Sequence, residues 1–138
     1  RRTVDAQGQV IAPGFVNMLS WATQSLLVDG RALSDLKQGV TLQVMGEGWT
    51  MGPLTEPMRA EMKRQQSNLR FDIPWTSLGD YLTHLETRGI APNVASFVGA
   101  TTVRIHELGE GDVDPTPDQL ARMQGLVRAA MNEGAMGV

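Results

Sequence analysis

Apolar positions alternate along the chain between short strand-like runs and helix-spaced stripes. "TVDAQGQVIAPGF" (residues 3–15) holds two β-prone runs around Ala6-Gln7-Gly8-Gln9, a pattern that predicts a hairpin. Gly14 to Met18 is apolar nearly throughout, which predicts a short buried strand. "ALSDLKQG" (residues 32–39) predicts a short helix stopped by Gly39, and "VTLQVM" (residues 40–45) predicts the next strand. The strand leads into a glycine-rich turn, "GEGWTMGP".

Residues 56–69 carry Met58 and Met62 four apart among charges, as a largely solvated helix does. Beyond Trp75, Thr76 is placed to cap a helix whose Leu78, Tyr81, Leu82 and Leu85 follow the i, i+3, i+4, i+7 spacing. Gly89 ends it, Pro92 blocks its continuation, and "NVASFVG" (residues 93–99) predicts a third strand. An acidic, proline-bearing loop (residues 109–118) then meets a capping box made by Thr116, Pro117 and Gln119. The helix it starts has a stripe of Leu120, Met123, Val127, Ala130 and Met131, and Gly134 closes it. The last four residues, "AMGV", have the composition of a strand beginning.

The alternating order predicts an α/β fold with a parallel sheet. Such a sheet carries its working groups on the loops after the strand C-termini, here residues 19–23, 46–53 and 99–106. At 138 residues the chain is long enough for one domain with a real core. Its 41% hydrophobic and 20% charged content is that of an ordinary folded protein. The net charge of −3 gives no electrostatic reason to expect nucleic acid or an anionic membrane. No apolar run approaches the ~18 residues of a membrane span, and Arg1-Arg2 leads into polar residues rather than a signal core, so a soluble protein of the cytoplasm or periplasm is expected. With no cysteine there is no disulfide, no thiolate metal ligand and no cysteine nucleophile.

Chemistry-bearing residues cluster in the three predicted loops. Gly46, Gly48 and Gly52 invite comparison with a phosphate cradle, but the spacing is G-x-G-x-x-x-G and Pro53 prevents a helix from opening on it, so a tight turn accounts for them better. Glu47 lies between two of these glycines, where a carboxylate suits either a metal ligand or general base, or simple solvation. His106, with Arg104, follows the third predicted strand and can reach the working face, although no second histidine stands at ligand spacing. His84 falls beside a helix stripe, as a rim histidine would. Trp21 and Trp49 follow strands; they can wall a pocket for an apolar group or plug the sheet end, and Trp75 shares the second reading.

"VDAQGQVIAPGFVN" resembles the stretch at which amidohydrolases pass from a small β-sandwich to the first strand of a (β/α)8 barrel. "LKQGVTLQVMGEGWTMGPL", "WTSLGDYLTHLETRGIAPNVASFVGATTVR" and "ARMQGLVRAAMNEGAMGV" resemble, in order, the second-strand, third-strand and pre-fourth-strand regions of N-acyl-D-amino-acid deacylases, the D-aminoacylases. The resemblance implies the end of a sandwich at residues 1–12 and a truncated TIM-type barrel at 13–138, since a whole barrel takes about 250 residues. It implies hydrolysis of a non-peptide amide bond, such as that of an N-acyl-D-amino acid, around one divalent metal, Zn²⁺. The catalytic aspartate and later histidines are then expected beyond Val138, and the piece alone is expected to be inactive.

The family pattern sets Asp-x-His-x-His after Pro-Gly-Phe, where this chain has Asn17, Leu19 and Trp21. An alkyl chain and an indole offer a metal no lone pair, so that site cannot form as it does in relatives. Where D-aminoacylases carry a cysteine ligand, the matching turn holds Glu47, and Ala100 stands where relatives often have histidine. Two further readings remain: a barrel that lost its metal and serves in binding or as a scaffold, and a free-standing flavodoxin-like domain whose Gly46–Gly52 turn holds an anion. Apolar strand edges in an incomplete barrel also make a homo-oligomer a possible state.

Overall fold

The computed structural model describes residues 3–66, 68 and 70–138. Strand β1 (Phe15–Ser20) is followed by two short helices, α1 (Ser25–Val28) and α2 (Leu33–Leu36), and by β2 (Val40–Met45). Helices α3 (Glu56–Gln65) and α4 (Leu78–Arg88) lead to β3 (Asn93–Ser96), and α5 (Ala100–Leu108) and α6 (Pro117–Asn132) close the order. The strands form one parallel sheet in the order β1-β2-β3, the arrangement the alternating pattern predicts.

Side chains alternate across the sheet, so Gln43 and Met45 share one side of β2. Ser20 Oγ donates to the buried Gln43 Oε1 at 2.6 Å on that side. Met45 joins a core with Leu26 and Leu27 of α1, Leu78, Tyr81 and Leu85 of α4, and Trp75 and Val98. The Tyr81 hydroxyl satisfies itself by donating to Thr23 O at 2.8 Å, and burial pushes its phenol pKa upward. The predicted stripe of α4 is thus its core face, although the cap is Ser77, whose Oγ accepts from Asp80 N at 3.1 Å, rather than Thr76. The carbonyl of Thr76 is engaged by Leu54 N at 2.7 Å. The capping box of α6 forms as predicted, with Gln119 N to Thr116 Oγ1 at 3.3 Å and Thr116 N to Gln119 Oε1 at 2.9 Å.

Several expectations are overturned. Residues 3–14 make a turn closed by Gln9 N to Ala6 O, but hold no strand, and Val4, Val10 and Ile11 are exposed. A two-stranded ribbon with no partner for its apolar side chains has nothing to hold it. β1 is exposed at most of its positions rather than buried, because it is an edge strand paired only with β2. The predicted strand over 93–99 ends at Ser96, and the stretch read as a loop over 99–106 is largely helix α5. Leu120 and Met131, placed in the α6 stripe, are exposed, whereas Leu126 joins Met123, Val127 and Ala130 against the core. At the end of the chain, Met136 N donates to Ser96 O and Val98 N to Gly137 O, each at 2.9 Å, without a fourth strand being formed. Positions 67 and 69 of the helix predicted over 56–69, and Arg1-Arg2, lie outside the described residues.

α5 exists because its first turn is satisfied from outside. Gly99 at its N-cap has no side chain to accept a hydrogen bond, yet the carbonyl of Gly48 accepts from Thr101 N (3.1 Å) and Thr102 N (3.4 Å). Thr102 Oγ1 returns the contact by accepting from Thr50 N at 2.8 Å. Thr50 Oγ1 accepts from Gly99 N at 3.1 Å and donates to Gly52 O at 2.6 Å. Both threonines are buried, so their hydroxyls and the Thr50 and Gly99 N–H groups they engage have no water to fall back on. A Cβ at Gly99 would run into the Gly48 carbonyl, which is why this cap has to be glycine.

Thr102→Val should therefore lower stability by about 1–3 kcal/mol, the cost of an unsatisfied buried N–H, while Thr102→Ser restores most of it. Denaturant unfolding of the full protein measures the difference, and equal midpoints for the two variants would contradict it. Gly99→Ala should be more damaging than Gly125→Ala, since a Cβ at Gly125 meets nothing within 4 Å.

Candidate functional site

A groove of about 960 Å³ opens at the C-terminal end of the sheet, within the size range of small-molecule pockets. Its floor comes from residues following β1 (Trp21, Thr23) and β2 (Glu47, Trp49, Thr50). One wall is α3, through Met58, Glu61, Met62 and Arg64, and the other is the end of α5, through Ile105 and His106. The turn after β2 is held in place by the Thr50–Thr102 exchange, so Glu47 and Trp49 are presented by backbone that is itself fastened to α5. Gly46 starts the turn with φ of 97°, a conformation that L side chains avoid.

Of the residues singled out in the sequence, Trp21, Glu47, Trp49 and His106 line this one groove. Trp21 is 72% exposed and Trp49 44%, so neither is a core plug. Glu47 is exposed. His106 sits on α5 rather than in a loop after β3; its Nδ1 is buried without a hydrogen-bond partner. Arg104 does not reach the groove. Two residues before His106 on α5, and so turned to another side of the helix, it donates to Gly111 O (2.8 Å) and Val113 O (3.0 Å) and braces the loop before α6. Trp75 takes the core role, donating from Nε1 to Met51 O at 2.8 Å, and His84 lies against its ring at 4.9 Å.

Sequence reasoning missed the wall supplied by α3. α3 is the largely solvated helix expected, with Met58 its buried residue, but Met58 and Met62 also line the groove and pack on the core; the four-residue spacing of the two methionines is the available signal. Thr55 caps this helix, accepting from Met58 N at 3.4 Å. Gln66 clasps Phe71 through two hydrogen bonds, 2.9 and 3.2 Å, and Arg59 donates to Ile73 O at 3.3 Å, tying α3 to the segment that follows it. Behind the opposite wall, Arg122 of α6 donates to Glu107 of α5 at 2.6 and 2.8 Å and holds that carboxyl below the usual range.

Two amides of the turn are spent within the protein, Trp49 N on Glu47 O and Thr50 N on Thr102 Oγ1, and Glu47 places a carboxylate in it, an arrangement that disfavours an anion there. As for a metal, no group of three or more His, Cys, Asp or Glu side chains stands together among the described residues. Leu19 and Trp21 line the groove without lone pairs to give, so a metal site centred on β1 does not fit this chain. Glu47, exposed at the strand end, has the chemistry of a single ligand. No described helix is long and apolar enough to cross a membrane.

No protein-family model matches the chain. D-aminoacylase of Alcaligenes xylosoxydans xylosoxydans is 30% identical over 139 residues, an alignment covering 98% of this chain and 28% of that protein. A solved structure of D-aminoacylase, studied for its binuclear metal centre, superposes with a TM-score of 0.76 at 28% identity and covers 91% of this chain and 26% of its own. N-acyl-D-glutamate deacylase from Bordetella bronchiseptica, solved with zinc and a phosphonate inhibitor, superposes with a TM-score of 0.71 at 25% identity over the same shares. The chain therefore spans a little over a quarter of the length of the curated relative it matches. In sequence and in fold, over nearly all of its residues, this chain is similar to the D-aminoacylases, which form a subset of the amidohydrolases.

Proposed function

We propose that the chain is part of a metal-dependent amidohydrolase that hydrolyses the amide bond of an N-acyl amino acid, with D stereochemistry by likeness to its relatives. The observation that carries the reading is the groove at the C-terminal end of parallel strands, built from the residues that directly follow β1 and β2. That is where α/β folds of this kind position their chemistry. Residues 1–12 are then the end of a β-sandwich segment and residues 13–138 the opening units of a (β/α)8 barrel, with the catalytic aspartate outside this chain.

Glu47 is the residue of this chain that would hold a metal, a single Zn²⁺ in this reading, and the remaining ligands come from elsewhere in the protein. A bound divalent ion supplies Lewis acidity toward the amide carbonyl and acidifies a water. The part played by the chain's own residues is binding and exclusion of water: Trp21, Trp49 and Met62 present apolar surface to the substrate, and the Thr50–Thr102 exchange keeps Glu47 in position.

A second reading is favoured by one observation: Leu19 and Trp21 lie where the resembling family has paired histidines, and the described residues hold no donor cluster. On that reading the barrel binds its ligand without catalysis. The two are separated by incubating the full protein with racemic N-acetyl amino acids and measuring amine release. Turnover abolished by a chelator is expected, and no turnover with or without added zinc leaves only the binding reading. Glu47→Gln should lower both metal content and kcat/KM by at least about tenfold, the range already reached when groups that merely orient ligands are removed. Unchanged metal content in that variant would remove Glu47 from the ligand set.

A further inference from the structure

We infer that the protein is held to a single metal ion because the end of β1 has no donors for a second, and that excess divalent metal therefore does not attenuate it. The inference names the regulation of the site proposed above and rests on that reading for the first ion. The D-aminoacylase whose structure superposes on this chain was studied for one-metal activation and second-metal attenuation in a binuclear centre. This chain departs after Pro-Gly-Phe, where Asn17, Leu19 and Trp21 stand in place of the Asp-x-His-x-His of the resembling family. The polar side chains at this strand end are engaged within the protein. Asn17 Oδ1 accepts from Leu19 N at 3.2 Å, so an amide that fixes the local turn stands where the pattern has a carboxylate. Ser20 Oγ accepts from Ala22 N at 3.2 Å and donates to Gln43 Oε1 at 2.6 Å. Leu19 and Trp21 have no lone pair suited to a metal. Thr23 and Gln24, next along the groove, bring no imidazole, thiolate or carboxylate, the groups that zinc takes.

The other candidate donors of the groove do not make up the loss. Glu61 is paired with Arg64 on α3, and His106 and Glu110 belong to the end of α5 and the loop after it. With Glu47 they form no group of three donors among the described residues. Electrostatics decides which ion this costs. Two divalent ions in one site stand about 3.5–4 Å apart, where their mutual repulsion is large unless donors neutralise it. The first ion meets no such repulsion and can draw on Glu47 together with ligands from outside this chain. A second ion needs strong donors of its own to offset the repulsion, and this strand end supplies none.

The test is the zinc stoichiometry of the full protein, stripped by a chelator, titrated in a calorimeter and checked by metal analysis after gel filtration. Binding is expected to stop at about one equivalent while zinc is raised to about ten. Over that range kcat/KM on a racemic N-acetyl amino acid should change by less than about twofold. Leu19→His combined with Trp21→His should add a second, weaker binding step, and turnover should then fall at high zinc. Two equivalents on the unaltered protein overturn the inference and leave the amide-hydrolysis reading standing. A double variant that keeps its unfolding midpoint yet gains no second ion also overturns it; if that variant fails to fold, the stoichiometry of the unaltered protein still decides. One equivalent bound with no turnover of any N-acetyl amino acid preserves the inference and removes the catalytic reading instead. No zinc bound at all overturns both.

Discussion

The buried exchange between Thr50 and Thr102 is the constraint on which the rest of the site depends. It joins the turn after β2 to the first turn of α5, across 52 residues of sequence, by groups that have no solvent to replace one another. Without it α5 would start with unsatisfied N–H groups, and the turn would lose the anchor that fixes Glu47 and Trp49. The same few atoms therefore shape both the floor and one wall of the groove. Their arrangement needs glycine on both sides: Gly48 for its φ of 70° and Gly99 to make room for the Gly48 carbonyl.

Much of the architecture was legible because it is local. Strand β2 falls on the predicted residues, since Val40–Met45 is a short, β-prone, mostly apolar stretch between glycines. The α6 start follows from Thr116, Pro117 and Gln119, whose hydrogen bonds stay within one turn. Features set by distant contacts were not legible. α5 was hidden because "ATTVRI" has β-branched residues that favour strands, and the carbonyl that stabilises its start belongs to Gly48. β1 was read as buried from its composition, whereas burial depends on how many strands flank it.

The candidate site divides in the same way. Trp21, Glu47 and Trp49 were found because they follow strands, and strand ends are where such folds gather side chains. Arg104 was misplaced for the reason that α5 was missed: on a helix, neighbours at i and i+2 point to different sides, so it serves the Gly111–Val113 loop while His106 faces the groove. The α3 wall escaped because two methionines among many charges give a weak helical signal, even though Met58 and Met62 sit between core and groove. The departure at Leu19 and Trp21 was visible from the start, and the fold turns it from a missing metal site into an apolar surface.

Glu133, beyond the end of α6, accepts a hydrogen bond from Gly79 N in the first turn of α4 at 2.9 Å, and Gly79 has no room for a Cβ beside it. This contact closes a loop of 54 residues that contains all of β3 and α5. The opening turn of α4 is thus completed by a residue synthesised well after it, so its amide protons should gain their protection only when the end of α6 docks. Helices at opposite ends of this stretch are expected to open and close together, as one cooperative unit rather than as independent pieces.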